Sequence, residues 1–417
     1  MAGEYFDTAA TPPVLCPGSV AMIIEPRVRG FICMTAHPEG CAANVDEQIA
    51  TVREMGTFSG PKKALIVGAS TGYGLASRIA ATFGAGADTV GVFFERPGSG
   101  KRTASAGWYN SAAFERRAAE AGRGAWSING DGFSVEVKEQ AIGLIQEHLG
   151  TVDLLVYSMA APRRTDPATG ETHNSVLKPL GAPFHGRTID PHSGTMSEVA
   201  VDVASDEEIA GTVAVMGGDD WRLWTEALDA AGVLADGLVN VAYSYVGPSY
   251  TQDIYRKGTI GKAKEHLEAT AKQLDGTAGG RAYVAVNKAV VTQASAAIPV
   301  LPLYIMLLFK VMKEQGSHEG CAEQMHRLLA QRLYAPGGAV VDEAGRPRVD
   351  DLEMADVVQQ EVARRWDSVD EASVRQIADF DGYGAEFLRL FGFGLEGVDY
   401  AAETESEMAI PSIPAAS

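Results

Sequence analysis

The sequence predicts an α/β fold with a doubly wound, mostly parallel sheet, insertions, and a helical C-terminal part. Three observations carry that expectation. An apolar run, Ala64-Leu-Ile-Val67, meets a glycine-rich turn, Gly68-Ala69-Ser70-Thr71-Gly72-Tyr73-Gly74, which opens into the helical pattern Leu75, Ile79, Phe83. Strand and helix patterns then alternate across residues 64–161, which implies parallel strands joined by crossover helices. Finally, 46% apolar and 21% charged residues are enough to build an ample core.

The glycine turn is the most informative of the three. A strand, a tight glycine turn and a helix N-terminus form a phosphate cradle, because the backbone approaches closely and free N–H groups face the anion. The spacing Gly-x3-Gly-x-Gly is that of short-chain reductases, a Rossmann-type variant, rather than Gly-x-Gly-x-x-Gly. Thr89-Val-Gly-Val-Phe-Phe94 reads as the second strand and closes on Glu95, 21 residues after Gly74. An acid at that strand tip is placed to accept hydrogen bonds from adenosine ribose hydroxyls.

The remaining elements follow in order. A polar helix is expected around Ser111 to Ala121, and Ala125-Trp-Ser-Ile128 is the third strand, ending near Asp131-Gly132. A helix with Ile142, Ile145 and Leu149 on one face stops at Gly150. Asp153-Leu-Leu-Val-Tyr-Ser158 is the fourth strand and delivers Met159-Ala160 to the ligand end of the sheet. Residues 163–235 read as an insertion over the active site, and Leu238–Ala242 and Tyr283–Val286 as further strands. The last third reads as helical over Cys321–Leu333, Leu352–Trp366 and Phe387–Phe391. The organisation expected is an N-terminal extension over 1–21, one elaborated domain over 22–400, and a flexible tail over 401–417.

Composition narrows the partners. A formal charge of −19 argues against nucleic acid, whose phosphates require a basic surface. Cys16, Cys33, Cys41 and Cys321 are too few for a disulfide scaffold and point to a reducing cytoplasm. No signal peptide is evident in the first twenty residues. Ala289–Phe309 is 21 residues without a charge, long enough to span a bilayer. Pro299 and Pro302 would break a helix there, so a buried, interrupted wall beside an apolar pocket is expected instead. Cys33-x3-His37-x3-Cys41 lacks a fourth ligand and fits no common zinc spacing, and His173, His185 and His192 read as surface residues; no metal is expected.

The chemistry-bearing stretch is Tyr243-Ser-Tyr245-Val-Gly-Pro-Ser-Tyr250-Thr-Gln-Asp-Ile-Tyr255-Arg-Lys-Gly258-Thr259, after which a helix begins with Thr259 as N-cap and carries Lys262 and Lys264. Nicotinamide-dependent reduction of a conjugated carbonyl needs a positioned acid at the developing oxyanion. A tyrosine serves if a neighbouring ammonium lowers its pKa and also holds the cofactor ribose. Tyr255 pairs with either Lys262 or Lys264. The two lysines lie roughly 200° apart on a helix, so one of them faces the site, and spacing alone leaves both open.

Several long segments resemble the FabV-type NADH-dependent trans-2-enoyl-ACP/trans-2-enoyl-CoA reductases. They are Arg29-Gly-Phe-Ile-Cys-Met-Thr-Ala-His37-Pro, Tyr243-Ser-Tyr-Val-Gly-Pro248, Ile254 to Lys264, Val291-Thr-Gln-Ala-Ser295 and Phe391-Gly-Phe, together spanning residue 22 to about 400. The resemblance implies a Tyr-x8-Lys pair, with Tyr255 as proton donor, Lys264 on the nicotinamide ribose, and Tyr245 at the substrate thioester. It places NADH against Gly68, Ala69, Ser70, Thr71, Gly72, Tyr73, Phe94, Glu95, Asp131, Gly132, Met159, Ala160, Val290, Val291 and Thr292. The implied reaction is saturation of the C2–C3 double bond of an enoyl-CoA or enoyl-ACP by a cytoplasmic monomer. A 3-oxoacyl thioester ketoreductase and a catalytically silent dinucleotide sensor are the alternatives, the latter disfavoured by the presence of both Tyr255 and Lys264.

Overall fold

A computed structural model describes residues 20–30, 32–296 and 298–414 of the chain. Six parallel strands form the central sheet: β1 (Lys63–Val67), β2 (Asp88–Phe93), β3 (Ala125–Asn129), β4 (Val152–Tyr157), β5 (Leu234–Ser244) and β6 (Arg281–Val286). Their spatial order is β6-β5-β4-β1-β2-β3, with every pairing parallel. The order reverses between β1 and β4, and a ligand crevice forms at such a reversal, outside the carboxyl ends of the strands. Both faces are covered, and the strand centres are largely apolar; in β1, Ala64 to Val67 are fully buried.

Helices α1 (Pro38–Glu54), α2 (Gly72–Ile79) and α3 (Ala106–Glu120) belong to one side of the sheet. On the other lie α4 (Val135–Leu144), α5 (Asp206–Met216), α6 (Asp219–Ala230) and α7 (Thr259–Leu274). α2 is tied to the sheet by Arg78, a fully buried cation. It donates to Thr89 Oγ1 (3.0 Å), Ser127 Oγ (3.0 Å) and the Trp126 carbonyl (2.7 Å), and lies 4.5 Å over the Phe114 ring. These partners satisfy a charge that would otherwise be costly to bury. The segment at 163–235 contributes two antiparallel hairpins, 163–165 with 172–174 and 184–189 with 196–201, before α5 and α6.

Three expectations need correction, and one is met. α3 starts five residues earlier than the polar pattern suggested and is largely buried, because its small residues pack against α1 and the sheet. Thr259 is not an N-cap: Gly258 holds that position, and the Thr259 hydroxyl donates instead to the Val176 carbonyl. The uncharged 289–309 run is broken as expected. Only 293–296 and α8 (Leu301–Gln315) are helical, Val300 sits at φ 73°, and Pro302 occupies the first turn, where a missing N–H costs nothing. Among the described residues no helix is long and apolar enough to cross a membrane.

The third correction concerns the C-terminus. Residues 401–414 are docked rather than loose: Thr404–Glu405 pairs with Ala21–Met22, and Ile410 is 1% exposed. Trp108 Nε1 donates to the Met408 carbonyl (2.6 Å), and Ser412 binds the Glu115 carboxylate (2.6 and 2.9 Å). The Ala/Pro/Ser composition hid this because one buried isoleucine and backbone bonds do the anchoring. Residues 1–19 of the expected extension and the last three of the tail lie outside the described residues. Ile410→Ala is expected to lower the unfolding free energy by about 2–4 kcal/mol, as for other buried aliphatics. Denaturant unfolding checks this; an unchanged midpoint would mean the segment is loose after all.

Candidate active site

The turn after β1 is set by close approach. Gly68 has φ +90°, and a Cβ there would lie 2.1 Å from the Ser158 carbonyl oxygen at the end of β4; a Cβ on Gly74 would lie 1.8 Å from the Gly68 carbonyl oxygen. Only glycine permits this packing, which brings the N-terminus of α2 to the crevice. Glu95, just beyond β2, faces the same turn. Its Oε1 accepts from Ser70 Oγ (2.6 Å), while Asn129 holds its backbone through two bonds (2.7 and 2.9 Å). Asn110 in turn donates to the Ser70 carbonyl (3.1 Å). The carboxylate is thus aimed before any ligand arrives.

Two spaces open at the carboxyl ends of the strands. A cleft of about 830 Å³ is lined by Thr71, Gly72, Glu95, Val290, Val291 and Thr292, among others. A cavity of about 240 Å³ is lined by Tyr73, Met159, Ala160, Tyr245, Tyr255 and Lys264. Val290 and Thr292 belong to both walls. Most of the sequence-derived site residues therefore converge on these two spaces. Gly68, Ala69, Ser70, Phe94, Asp131 and Gly132 line neither, though Gly68 packs on Ser158 and Gly132 backs Met159, whose methyl would be 3.3 Å from an added Cβ. Phe94 is 78% exposed, and Asp131 is occupied in accepting from the Phe133 N–H (3.0 Å).

The two lysines differ in burial. Lys262 is exposed and pairs with Glu265 (2.8 Å), whereas Lys264 is 8% exposed and reaches the cavity. Lys264 Nζ donates to the Tyr243 carbonyl (2.8 Å), and its other ammonium protons have no partner among the described residues. Burial lowers its pKa to about 8.

The tyrosines divide just as clearly. Five line the cavity: Tyr73, Tyr157, Tyr243, Tyr245 and Tyr255. Tyr73 donates to the Lys288 carbonyl (2.6 Å), Tyr157 to Asp220 (3.1 Å) and Tyr245 to Glu353 (3.1 Å). The Ser77 proton goes to the Tyr73 carbonyl, so Tyr243 donates to Ser77 (2.5 Å). Tyr255 alone makes no hydroxyl hydrogen bond among the described residues. Its pKa is pushed up to about 12 by burial, which the Arg256 charge partly offsets. This corrects the expectation of a tyrosine acidified by its lysine: Tyr255 is held neutral with its proton available.

Sequence reasoning missed three residues behind this wall. Glu353 and Tyr304 are fully buried and bonded to each other (2.7 Å). Lys288 is 2% exposed, donates to the Ala289 carbonyl (3.0 Å) and lies 4.2 Å from the centre of the Phe309 ring. Glu353 stands in the acidic stretch Asp350-Asp351-Leu352-Glu353 and reads as solvated, whereas Lys288 marked only the edge of an apolar run. The Cys33/His37/Cys41 trio holds no metal cluster among the described residues; His37 Nδ1 caps α1 by accepting from the Gly40 N–H (3.2 Å).

Comparison with known proteins agrees with this geometry. Residues 23–100 match a family described as the NAD(P)H binding domain of trans-2-enoyl-CoA reductase, and residues 102–334 match its catalytic region. An NADH-dependent enoyl-[acyl-carrier-protein] reductase of Coxiella burnetii is 56% identical over 398 residues, 94% of this chain and 98% of that protein. One from Flavobacterium johnsoniae is 55% identical over 395 residues, 94% of this chain and all of that protein. The crystal structure of Treponema denticola trans-2-enoyl-CoA reductase in complex with NAD superposes with a TM-score of 0.90 at 48% identity, covering 93% of this chain and 99% of that one. The Clostridium enzyme in complex with NADH gives 0.91 at 42% identity, covering 94% and 100%.

Residues 341–404 match a segment described as an enoyl reductase FAD binding domain. The residues present do not fit a flavin. That stretch has no strand–glycine turn–helix cradle; its helices at 356–368 and 380–389 bury Val358, Val362, Phe380, Tyr383 and Phe387 in the common core, and Glu353 is spent on Tyr245 and Tyr304. The glycine turn, the aimed Glu95 and the partly unpaired Lys264 do fit a nicotinamide dinucleotide. With fold, site and relatives in agreement, the chain belongs to the FabV-type trans-2-enoyl-ACP/trans-2-enoyl-CoA reductase family.

Proposed function

We propose that this protein reduces the C2–C3 double bond of trans-2-enoyl thioesters to saturated acyl thioesters with NADH, the last reductive step of fatty acid elongation. The observation that carries this reading is the uncommitted Tyr255 hydroxyl, in one cavity with the partly unpaired Lys264 ammonium and beside the dinucleotide cleft.

NADH supplies a hydride to C3. The chain's residues govern the rest. Tyr255, neutral at physiological pH, donates its hydrogen bond to the thioester oxygen as negative charge develops there, so the interaction strengthens toward the transition state. C2 is protonated afterwards. Lys264 holds the nicotinamide ribose. Val290 to Thr292 orient the carboxamide, Met159-Ala160 pack beside the ring, and Gly68 to Tyr73 wrap the pyrophosphate. Phe94, Asp131 and Gly132 border the adenine, and Glu95 binds the adenosine ribose hydroxyls. The acyl group lies against Ile298 and Leu301, under a cover contributed by 163–235, of which Met216 reaches the cavity. Coenzyme A or acyl carrier protein is the carrier. A monomer is the working unit proposed, and Cys33, Cys41 and Cys321 are free thiols, which supports a cytoplasmic setting.

Three outcomes check this. Tyr255→Phe should lower kcat by about a hundredfold or more while NADH affinity, read by fluorescence titration, stays near that of the parent; full activity in that variant would remove Tyr255 from the chemistry.

Lys264 has a folded-state pKa below its usual value, so its ammonium is lost as pH rises through about 8. NADH affinity should therefore fall on the alkaline side of that pH. Lys264→Ala should bind NADH weakly at all pH values and lose the alkaline limb, with Lys262→Ala indistinguishable from the parent; the opposite ranking of the two lysines would contradict the assignment.

Glu95 would oppose the 2′-phosphate of NADPH by like charge, so kcat/KM should favour NADH, and Glu95→Ala should narrow the gap. Parity between the two cofactors in the unmodified protein would show that Glu95 does not select.

A further inference from the structure

Glu353 lies outside every motif read from the sequence, yet it is 0% exposed and sits directly behind the catalytic cavity. Its Oε1 accepts from Tyr245 (3.1 Å) and Tyr304 (2.7 Å), and its Oε2 from the Ala289 N–H (2.7 Å). Two of these directions follow from the partners. A backbone N–H only donates, and Gln359 Nε2 donates to Tyr304 Oη (3.1 Å), which leaves the Tyr304 proton for Glu353. Burial pushes the Glu353 pKa up, opposed by the Tyr304 hydrogen bond, the buried Lys288 cation and the Ala289 N–H; three donors on its two oxygens match the carboxylate form.

The consequence falls on Tyr245. Its hydroxyl proton points back to Glu353, so Tyr245 offers the cavity only oxygen lone pairs and cannot donate to a thioester oxygen while that bond stands. Its ring meets the Tyr255 ring edge to face, with centroids 5.3 Å apart and planes at 74°. Such a contact fixes the attitude of the neighbouring ring.

We propose that Glu353 is a positioning residue: by holding Tyr245 through its hydroxyl, it orients the Tyr255 ring and leaves Tyr255, among the described tyrosines lining the cavity, as the one able to donate a proton to the substrate oxygen. This inference rests on the assignment of Tyr255 as donor, and it moves Tyr245 from a substrate-binding role to a supporting one.

The test is a double-mutant cycle in NADH-dependent reduction of crotonyl-CoA, using Glu353→Gln, Tyr245→Phe and the two combined. Glu353→Gln keeps the shape of the side chain and removes the charge. Each single change should lower kcat by a similar factor, roughly ten- to a hundredfold for a donor moved out of line. KM for NADH should stay within about twofold of the parent, because the amide oxygen of the substituted side chain can still accept from the Ala289 N–H beside Val290. The double variant should be no slower than the slower single, since both changes break one support. If the two losses multiply, or if Glu353→Gln lowers only the melting temperature and leaves kcat intact, the proposal is overturned. Should Glu353→Gln fail to fold, Glu353→Asp, which keeps the charge but withdraws it, enters the same cycle with the same outcomes. The cycle reads independently of Tyr255→Phe: an active Tyr255→Phe would defeat the donor assignment, whereas uncoupled losses here would defeat only the role of Glu353.

Discussion

The contact on which the rest depends is the approach of the β1 turn to the end of β4. Gly68 and Gly74 admit backbone oxygens to distances no side chain would tolerate, 2.1 and 1.8 Å from where a Cβ would stand. That closeness has two effects. It aims the N-terminus of α2 into the crevice, where phosphates gain from free N–H groups and the helix dipole. It also places Ser158, and with it Met159 and Ala160, against the cofactor turn, so the dinucleotide cleft and the reaction cavity share a border. Arg78, buried beneath Phe114 and bonded to β2 and β3, keeps α2 seated there.

Much of this was legible in the sequence. The glycine turn, the acid at Glu95 and the strand end at Met159 are local signals, each read within a few residues, whereas Val290 entered only through the family resemblance. The choice between Lys262 and Lys264 was not local: spacing left both open and the family resemblance implied Lys264, whereas in the structure burial separates the solvated ion pair of Lys262 from the cavity position of Lys264. Glu353 was illegible for the same reason. Its partners Tyr245 and Ala289 lie 108 and 64 residues away, and its neighbours Asp350 and Asp351 make it look like part of a wetted acidic turn. The docked segment 401–414 carries a low-complexity composition that hides a single buried isoleucine and a set of backbone bonds.

The electrostatics run against the simple picture of a tyrosine acidified by an adjacent lysine. Burial acts on both groups, pushing Tyr255 up to about 12 and Lys264 down to about 8. The result is a neutral phenol that keeps its proton until charge develops beside it, and an ammonium that a bound dinucleotide anion would stabilise. In the role proposed for it, such a donor would act chiefly in the transition state rather than in the resting complex.

The central claim is that hydride passes to C3 of an enoyl thioester and that C2 takes its proton from water-exchangeable groups. It is tested most directly by following isotope through one turnover. NADH deuterated on the transferable face of the nicotinamide ring is mixed with protein and crotonyl-CoA in ordinary water, and the butyryl product is read by mass spectrometry and NMR. The account predicts one deuterium at C3 and none at C2, with the pattern reversed when ordinary NADH is used in deuterated water. Deuterium at C2, or NADH consumed with no label in the acyl product, would contradict it.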